Sequence, residues 1–176
     1  MKILAFAGSN SSTSINKELV KFAFKSYKEA SIEFIDLNDY AMPIFSVDLE
    51  KDYFPDEAHQ FLQKIEACDA IICSLAEHNK NYAVVFKNIM DWTSRINGKF
   101  FHNKPMFLMS TSPGAYGGGN VLNLARTFFP SFGADIKAEF SLPKFYENFD
   151  LVNGITLPEK LKEFNEKTYT FKSSLL

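Results

Sequence analysis

Five short apolar runs separated by longer amphipathic stretches constrain this chain more than any other feature of its 176 residues. They are KILAFAG at 2–8, SIEFIDL at 31–37, DAIICSLA at 69–76, KPMFLMS at 104–110 and ADIKAEFSL at 134–142. The first shows a continuous apolar character without polar alternation, the pattern of a strand buried on both faces. Between the runs, apolar residues recur at helical spacing. Ile15, Leu19, Phe22, Ala23 and Ala30 do so over 14–30, and Ala58, Phe61, Leu62 and Ile65 over 55–68. Tyr82, Val85, Phe86, Ile89 and Thr93 form a stripe after the third strand, and Val121, Leu124, Ala125 and Phe128 another behind a glycine-rich turn. Thr156 and Glu159, spaced as a capping box around Pro158, predict a last helix that packs through Leu157, Leu161, Phe164 and Thr168.

Strand and helix in regular alternation predict a parallel sheet with helices on both faces. Five such units joined by right-handed crossovers give an α/β, flavodoxin-like three-layer sandwich whose five-stranded sheet has the order 2-1-3-4-5. The length fits a single domain over 1–176. Residues 38–55 form a connection long enough to be functional or to carry a small element of its own.

Several classes are excluded early. The net charge is −2 and no basic run is present, so nothing marks a nucleic-acid or anionic-membrane partner. No apolar run approaches the length of a membrane span, and the N-terminal one is too short for a signal-peptide core. Cys68 and Cys73 fit neither a CxxC pair nor a zinc set and read as reduced thiols of a cytoplasmic protein.

Ligands of such sheets bind beyond the carboxyl ends of the strands, where strand order reverses, here between the first and third strands. Three loops of unusual composition fall at those ends. GSNSSTSIN at 8–16 carries five hydroxyl side chains and no carboxylate ahead of a helix start, a composition suited to a phosphate. It is neither a P-loop nor GxGxxG. AEHNKN at 76–81 combines an acid, a histidine and amides, but lacks the further ligands that a metal would need. STSPGAYGGG at 110–119, with four glycines and Tyr116, lets the backbone approach a planar ligand closely.

These loops resemble the NAD(P)H-dependent FMN reductases, a family that includes bacterial quinone, azo and chromate reductases. Its first loop reads GSxRxxSxN; Gly8, Ser9, Ser14 and Asn16 match, and Ser11 stands at the arginine position. Its PEYNxSxPGxLKNxIDWxSR is met by AEHNKNYAVVFKNIMDWTSR through Glu77, Asn79, Lys87, Asn88, Asp91, Trp92, Ser94 and Arg95. Ala76, His78, Ala83 and Val84 depart from it. STSPGxxGG is matched by Ser110 to Gly118, and DLNDYAMPIFSVDLE at 36–50 is similar to the family's loop after the second strand. The likeness runs from residue 1 to about 142.

The resemblance implies that FMN and NAD(P)H are the cofactors. The FMN phosphate would rest on Ser9, Ser11, Ser14 and the amides of Ile15 and Asn16. The ring edge would meet the amides of Glu77, His78 and Asn79 and the Ser112-Pro113-Gly114 turn, with Tyr116 and Gly117 beside it. A hydride would pass from nicotinamide to flavin and on to a small-molecule electron acceptor such as a quinone or free flavin, with no side chain acting as acid or base. Two other readings stay open. One is a flavodoxin-type electron carrier without direct nicotinamide reaction, against which the mild charge speaks. The other is a degenerate member that binds flavin weakly or not at all.

The family is commonly homodimeric or homotetrameric, and Trp92, on a different helix face from Phe86 and Ile89, is expected to be exposed for a partner subunit. The chain has 19 phenylalanines. Phe6, Phe34, Phe107 and Phe140 in strands, and Phe22, Phe61, Phe86, Phe128 and Phe164 on helix stripes, assign most of that excess to the core.

Overall fold

The computed structural model describes residues 1–176. Its main sheet is formed by β1 (Lys2–Gly8), β2 (Ser31–Ile35), β3 (Ala70–Leu75), β4 (Pro105–Thr111) and β5 (Asp135–Leu142). All neighbours are parallel and the order is β2-β1-β3-β4-β5, so the reversal predicted between the first and third strands is present. The crossovers are α1 (Ile15–Phe24), α2 (Asp56–Glu66), α3 (Val84–Ile96) and α4 (Gly119–Phe128), and α5 (Pro158–Ser173) closes the chain.

Each inner strand is apolar on both sides because each side feeds its own core. Leu4 and Phe6 of β1, Ile71 and Cys73 of β3, and Met106 and Leu108 of β4 pack with α2, α3 and α4. Ile3, Ala5, Ile72, Phe107 and Met109 point the other way, into the layer of α1 and α5. Period-two alternation between two apolar layers explains why these strands read as unbroken hydrophobic runs.

Several local expectations are corrected. The first helix stops at Phe24, where the amides of Ser26 and Tyr27 bond back to Ala23 and Phe24 in a tightened turn, and Tyr27 is buried against Phe171. Tyr82 stands ahead of α3 in a two-stranded ribbon rather than on the helix. No capping box forms at Thr156, because Leu157 is the cap residue of α5 and the Thr156 amide donates to Asn148 O at 2.9 Å. Phe128 is 48% exposed, so the buried stripe of α4 is Val121, Leu122 and Ala125.

Trp92 is the largest correction: its exposure is 0%. The long connection after β2 wraps over it, placing Phe45 and Phe54 edge-on at 5.0 and 5.2 Å, and its Nε1 donates to Pro43 O at 2.8 Å. Asn88 and Arg95, one turn to either side on α3, hold the same connection. Asn88 Oδ1 accepts from the Phe45 amide at 2.8 Å and its Nδ2 donates to Pro43 O at 3.0 Å, while Arg95 Nε reaches Glu50 Oε1 at 2.7 Å. Spacing of i, i+4 and i+7 puts the three on one helix face.

Candidate cofactor-binding site

The end of β1 turns directly into α1. A Cβ on Gly8 would lie 2.9 Å from Leu75 Cδ2 and 3.4 Å from the Phe86 ring, so a side chain there requires these core residues to shift. Ser14 caps α1, its hydroxyl accepting from the Lys17 amide, and the Ser11 amide donates to Ser9 Oγ at 3.2 Å. Asn16 is buried and used up by structure. Its Oδ1 accepts from Ser74 Oγ at 2.7 Å and the Thr111 amide at 3.1 Å, and its Nδ2 donates to Thr111 O at 3.2 Å. The β3–β4 ladder ends at Leu75 opposite Ser110, so the carboxamide serves as one further rung beyond it. The Ile15 and Asn16 amides, in the first turn, have no intrahelical acceptor and stand at the positive end of the helix.

The loop after β3 folds into a ribbon of Glu77–His78 against Asn81–Tyr82. Asn79 and Lys80 join the two with φ of 51° and 64°, the left-handed pair of a type I′ turn. The Glu77 carboxylate is turned away to the start of α4, which has no cap side chain or first-turn acid of its own. It accepts from Asn120 Nδ2 at 2.9 Å and the Val121 amide at 3.0 Å. This fastens the β3 loop to the β4 loop, a role that only the capless Gly118-Gly119 helix start could have signalled.

After β4, Gly117 adopts φ of 60°, and a Cβ on it would lie 2.4 Å from Ser141 Oγ. Its carbonyl accepts from Ser110 Oγ at 2.9 Å and Ser141 Oγ at 3.0 Å, so Gly117 is a buried turn element. Tyr116 folds back over Gly119, with its hydroxyl accepting from Asn123 Nδ2 at 3.3 Å. Pro113 and Gly114 stay exposed, and a Cβ on Gly114 would meet only Ser112 Oγ, at 3.7 Å.

Between these loops lies a cavity of about 220 Å³. Ser9, Ser11, Ser14, Ile15 and Asn16 form one side, Glu77 and His78 a second, and Ser112 and Pro113 a third. Thr13, Ala76, Thr111 and Tyr146, none of them a binding candidate from the sequence, also line it. Tyr146 arrives from the turn after β5, where its spacing gives no signal. His78 also borders a partly apolar groove of about 410 Å³, together with Asn79, Ile44, Phe45 and Val84. Gly114, Tyr116 and Gly117 line neither.

No lysine or arginine lines the smaller cavity. Lys17, in the first turn of α1, is buried and paired with Asp36 at the end of β2. Burial alone would raise the Asp36 carboxyl, but the Asn38 amide and Lys17 outweigh it and hold the group below the usual carboxylate range. No cluster of potential metal ligands is present.

Free amides at a helix start and a row of hydroxyls at the strand-order reversal, with an open proline–glycine turn after the neighbouring β4, make a donor set that fits a phosphomonoester carrying a flat ring. The chain belongs to the NADPH-dependent FMN reductase family, whose model matches residues 1–147. It is thereby an oxidoreductase of a family that uses FMN and NAD(P)H. A Mycoplasma pneumoniae protein described as uncharacterized is 31% identical over 157 residues, covering 86% of this chain and 93% of its own. A NAD(P)H-dependent FMN reductase of Pseudomonas aeruginosa is 31% identical over 118 residues, 66% of this chain and 63% of its own. Among solved structures, the flavoenzyme NAD(P)H:(acceptor) oxidoreductase FerB of Paracoccus denitrificans superposes with a TM-score of 0.77 at 23% identity, over 99% of this chain and 96% of its own.

Proposed function

We propose that this protein is an NAD(P)H:acceptor oxidoreductase that passes a hydride from a nicotinamide, by way of bound FMN, to a quinone, free flavin or similar flat acceptor. The observation that carries this reading is the convergence of the free Ile15 and Asn16 amides with the hydroxyls of Ser9, Ser11 and Ser14 on one cavity at the strand-order reversal. Bound FMN supplies a ring that takes up and gives back a hydride. The chain binds and orients it. The serine loop and first-turn amides hold the phosphate. The rigid hairpin of Glu77, His78 and Asn79 and the Ser112-Pro113-Gly114 turn offer backbone groups to the ring edge. Neither cavity holds a base paired with a nucleophile, so no residue of the chain is assigned proton transfer.

The partly apolar groove beyond His78 suits a flat acceptor. Ile44 and Val84 on its rim are 76% and 67% exposed, which supports a homodimer or homotetramer formed across this face. Two buried free thiols suit the reducing cytoplasm. No helix is long and apolar enough to cross a membrane.

The test is a visible spectrum of the purified protein with FMN, taken anaerobically before and after each nicotinamide. Retention of FMN through gel filtration and bleaching by NADH or NADPH are expected. Protein that retains no FMN, or FMN that neither nicotinamide bleaches, overturns the proposal. Light scattering that gives one chain per particle overturns the oligomer.

A further inference from the structure

The smaller cavity has a wall that belongs to none of the three loops. Tyr146 reaches it from the turn after β5, and that turn is fixed to the β4 loop by two backbone bonds. The Lys144 amide donates to Gly114 O at 2.9 Å and the Phe145 amide to Ser112 O at 3.1 Å. Asn148 Nδ2 adds a bond to Pro143 O at 2.9 Å. Beneath the turn, Phe145 is buried and stacked on Phe149 with centroids 4.7 Å apart. Tyr146 stands edge-on to Phe145, yet 73% of its own surface faces solvent. The backbone that carries Tyr146 is thus anchored at the cavity rim while its ring is left largely unpacked, so the ring adds little to the fold by its position.

The same cavity lacks a cation. Of the lysines nearest its walls in sequence, Lys17 is paired with Asp36 and Lys144 with Glu147 at 3.0 Å, while Lys80, on the hairpin turn, does not line the cavity. Resting on the FMN reading above, we infer that Tyr146 is a phosphate-arm binding residue, its phenol donating to the phosphate and its ring closing the cavity's outer side. The anion is then held by neutral donors alone: serine hydroxyls, two amides and one phenol. Specificity for a phosphorylated flavin over an unphosphorylated one comes from that set.

The test compares binding of FMN and of riboflavin by calorimetry in wild type, Tyr146→Phe and Tyr146→Ala. Loss of one hydrogen bond to a charged group at a partly solvated site predicts FMN binding about 10-fold weaker in Tyr146→Phe, with riboflavin changed less than about 2-fold. Tyr146→Ala, which also removes the wall, weakens both ligands. With no lysine or arginine engaged, the wild-type FMN dissociation constant changes less than about 2-fold between low salt and several tenths molar NaCl. FMN binding unchanged in Tyr146→Phe, equal losses for the two ligands in Tyr146→Phe, or steep weakening of wild-type FMN binding by salt overturns the inference and leaves the FMN proposal standing. Wild type that binds neither ligand overturns both. Because the ring is exposed, circular dichroism is expected to be the same in all three proteins.

Discussion

Replacing Asn16 by alanine breaks three bonds at once. The carboxamide satisfies the Ser74 hydroxyl, the Thr111 amide and the Thr111 carbonyl, and both partner residues are buried. Ser74 can rotate toward another acceptor, but the two backbone groups of Thr111 lie past the last β3–β4 rung and have no strand neighbour on that side. Three net bonds at about 1 kcal/mol each put the loss near 3 kcal/mol. For a chain of this size that lowers the melting temperature by about 6–12 °C. Asn16→Asp sharpens the test, because a carboxylate oxygen then faces the Thr111 carbonyl and the folded-state pKa of the new group is raised. Stability tied to its protonated form is fully present below about pH 4, the unfolded value, and is lost as pH rises through the folded value. The Asn16→Asp penalty against wild type therefore grows from acid to neutral pH. Urea denaturation followed by circular dichroism measures both variants. A loss under about 1 kcal/mol in Asn16→Ala, or an Asn16→Asp penalty flat in pH, would refute the reasoning.

Glu77→Ala leaves the start of α4 without a cap and costs about 1.5–2 kcal/mol in the same assay, whereas Glu77→Gln keeps an acceptor and costs roughly half as much. Asp36→Asn strips the buried Lys17 ammonium of its partner. With the Asp36 side chain 37% exposed and Lys17 at 8%, solvent screening limits the loss to about 1–2 kcal/mol. The Asp36 carboxyl is depressed in the folded state, so wild type keeps this advantage above the ordinary carboxylate value near pH 4 and loses it as pH falls through the folded value. Trp92 is the only tryptophan and is fully buried within its own subunit, so iodide leaves its fluorescence unquenched even at dilutions that dissociate any oligomer. Quenching there would contradict the position of the connection over α3.

The order of the sheet was legible in the sequence because period-two burial on both faces leaves a strand no polar position, and runs such as Lys2–Gly8 and Ala70–Leu75 admit few other readings. The serine loop's place on the cavity was legible because one cap accounts for only one hydroxyl of five. What could not be read was mostly what depends on tertiary partners. Trp92 was misplaced because helix periodicity says which face a residue is on, not what covers that face, and the cover comes from the connection containing Phe45 and Phe54, about 40 residues earlier. Gly117 and Tyr116 sit in a loop whose composition suits a ligand, yet the carbonyl of one and the hydroxyl of the other are spent on Ser110, Ser141 and Asn123. Tyr146 carries no sequence signal, because an aromatic in an ordinary loop has no period and no motif.

The most recognisable stretch of the chain, KNIMDWTSR at 87–95, both lines the groove, through Lys87, Asn88 and Asp91, and holds its opposite wall in place. Asn88, Trp92 and Arg95 bind Pro43, Phe45 and Glu50, and Lys87 pairs with Asp91 along the helix at 2.6 Å. All but the last of these contacts press the long connection onto α3, fixing Phe45 and Ile44 at one side of the groove that His78 borders from the other. Backbone amides form much of the expected binding surface, and they discriminate poorly among flat molecules. Discrimination falls instead to whatever narrows the groove, which is the connection after β2. Substitutions at Ile44 or Phe45 are therefore expected to change which acceptors are reduced, while substitutions at Asn88 or Trp92 loosen the whole wall and lower activity toward all of them. Steady-state rates with a panel of quinones of increasing size separate the two cases. Equal loss across the panel for an Ile44 variant would mean that the groove wall does not select the acceptor.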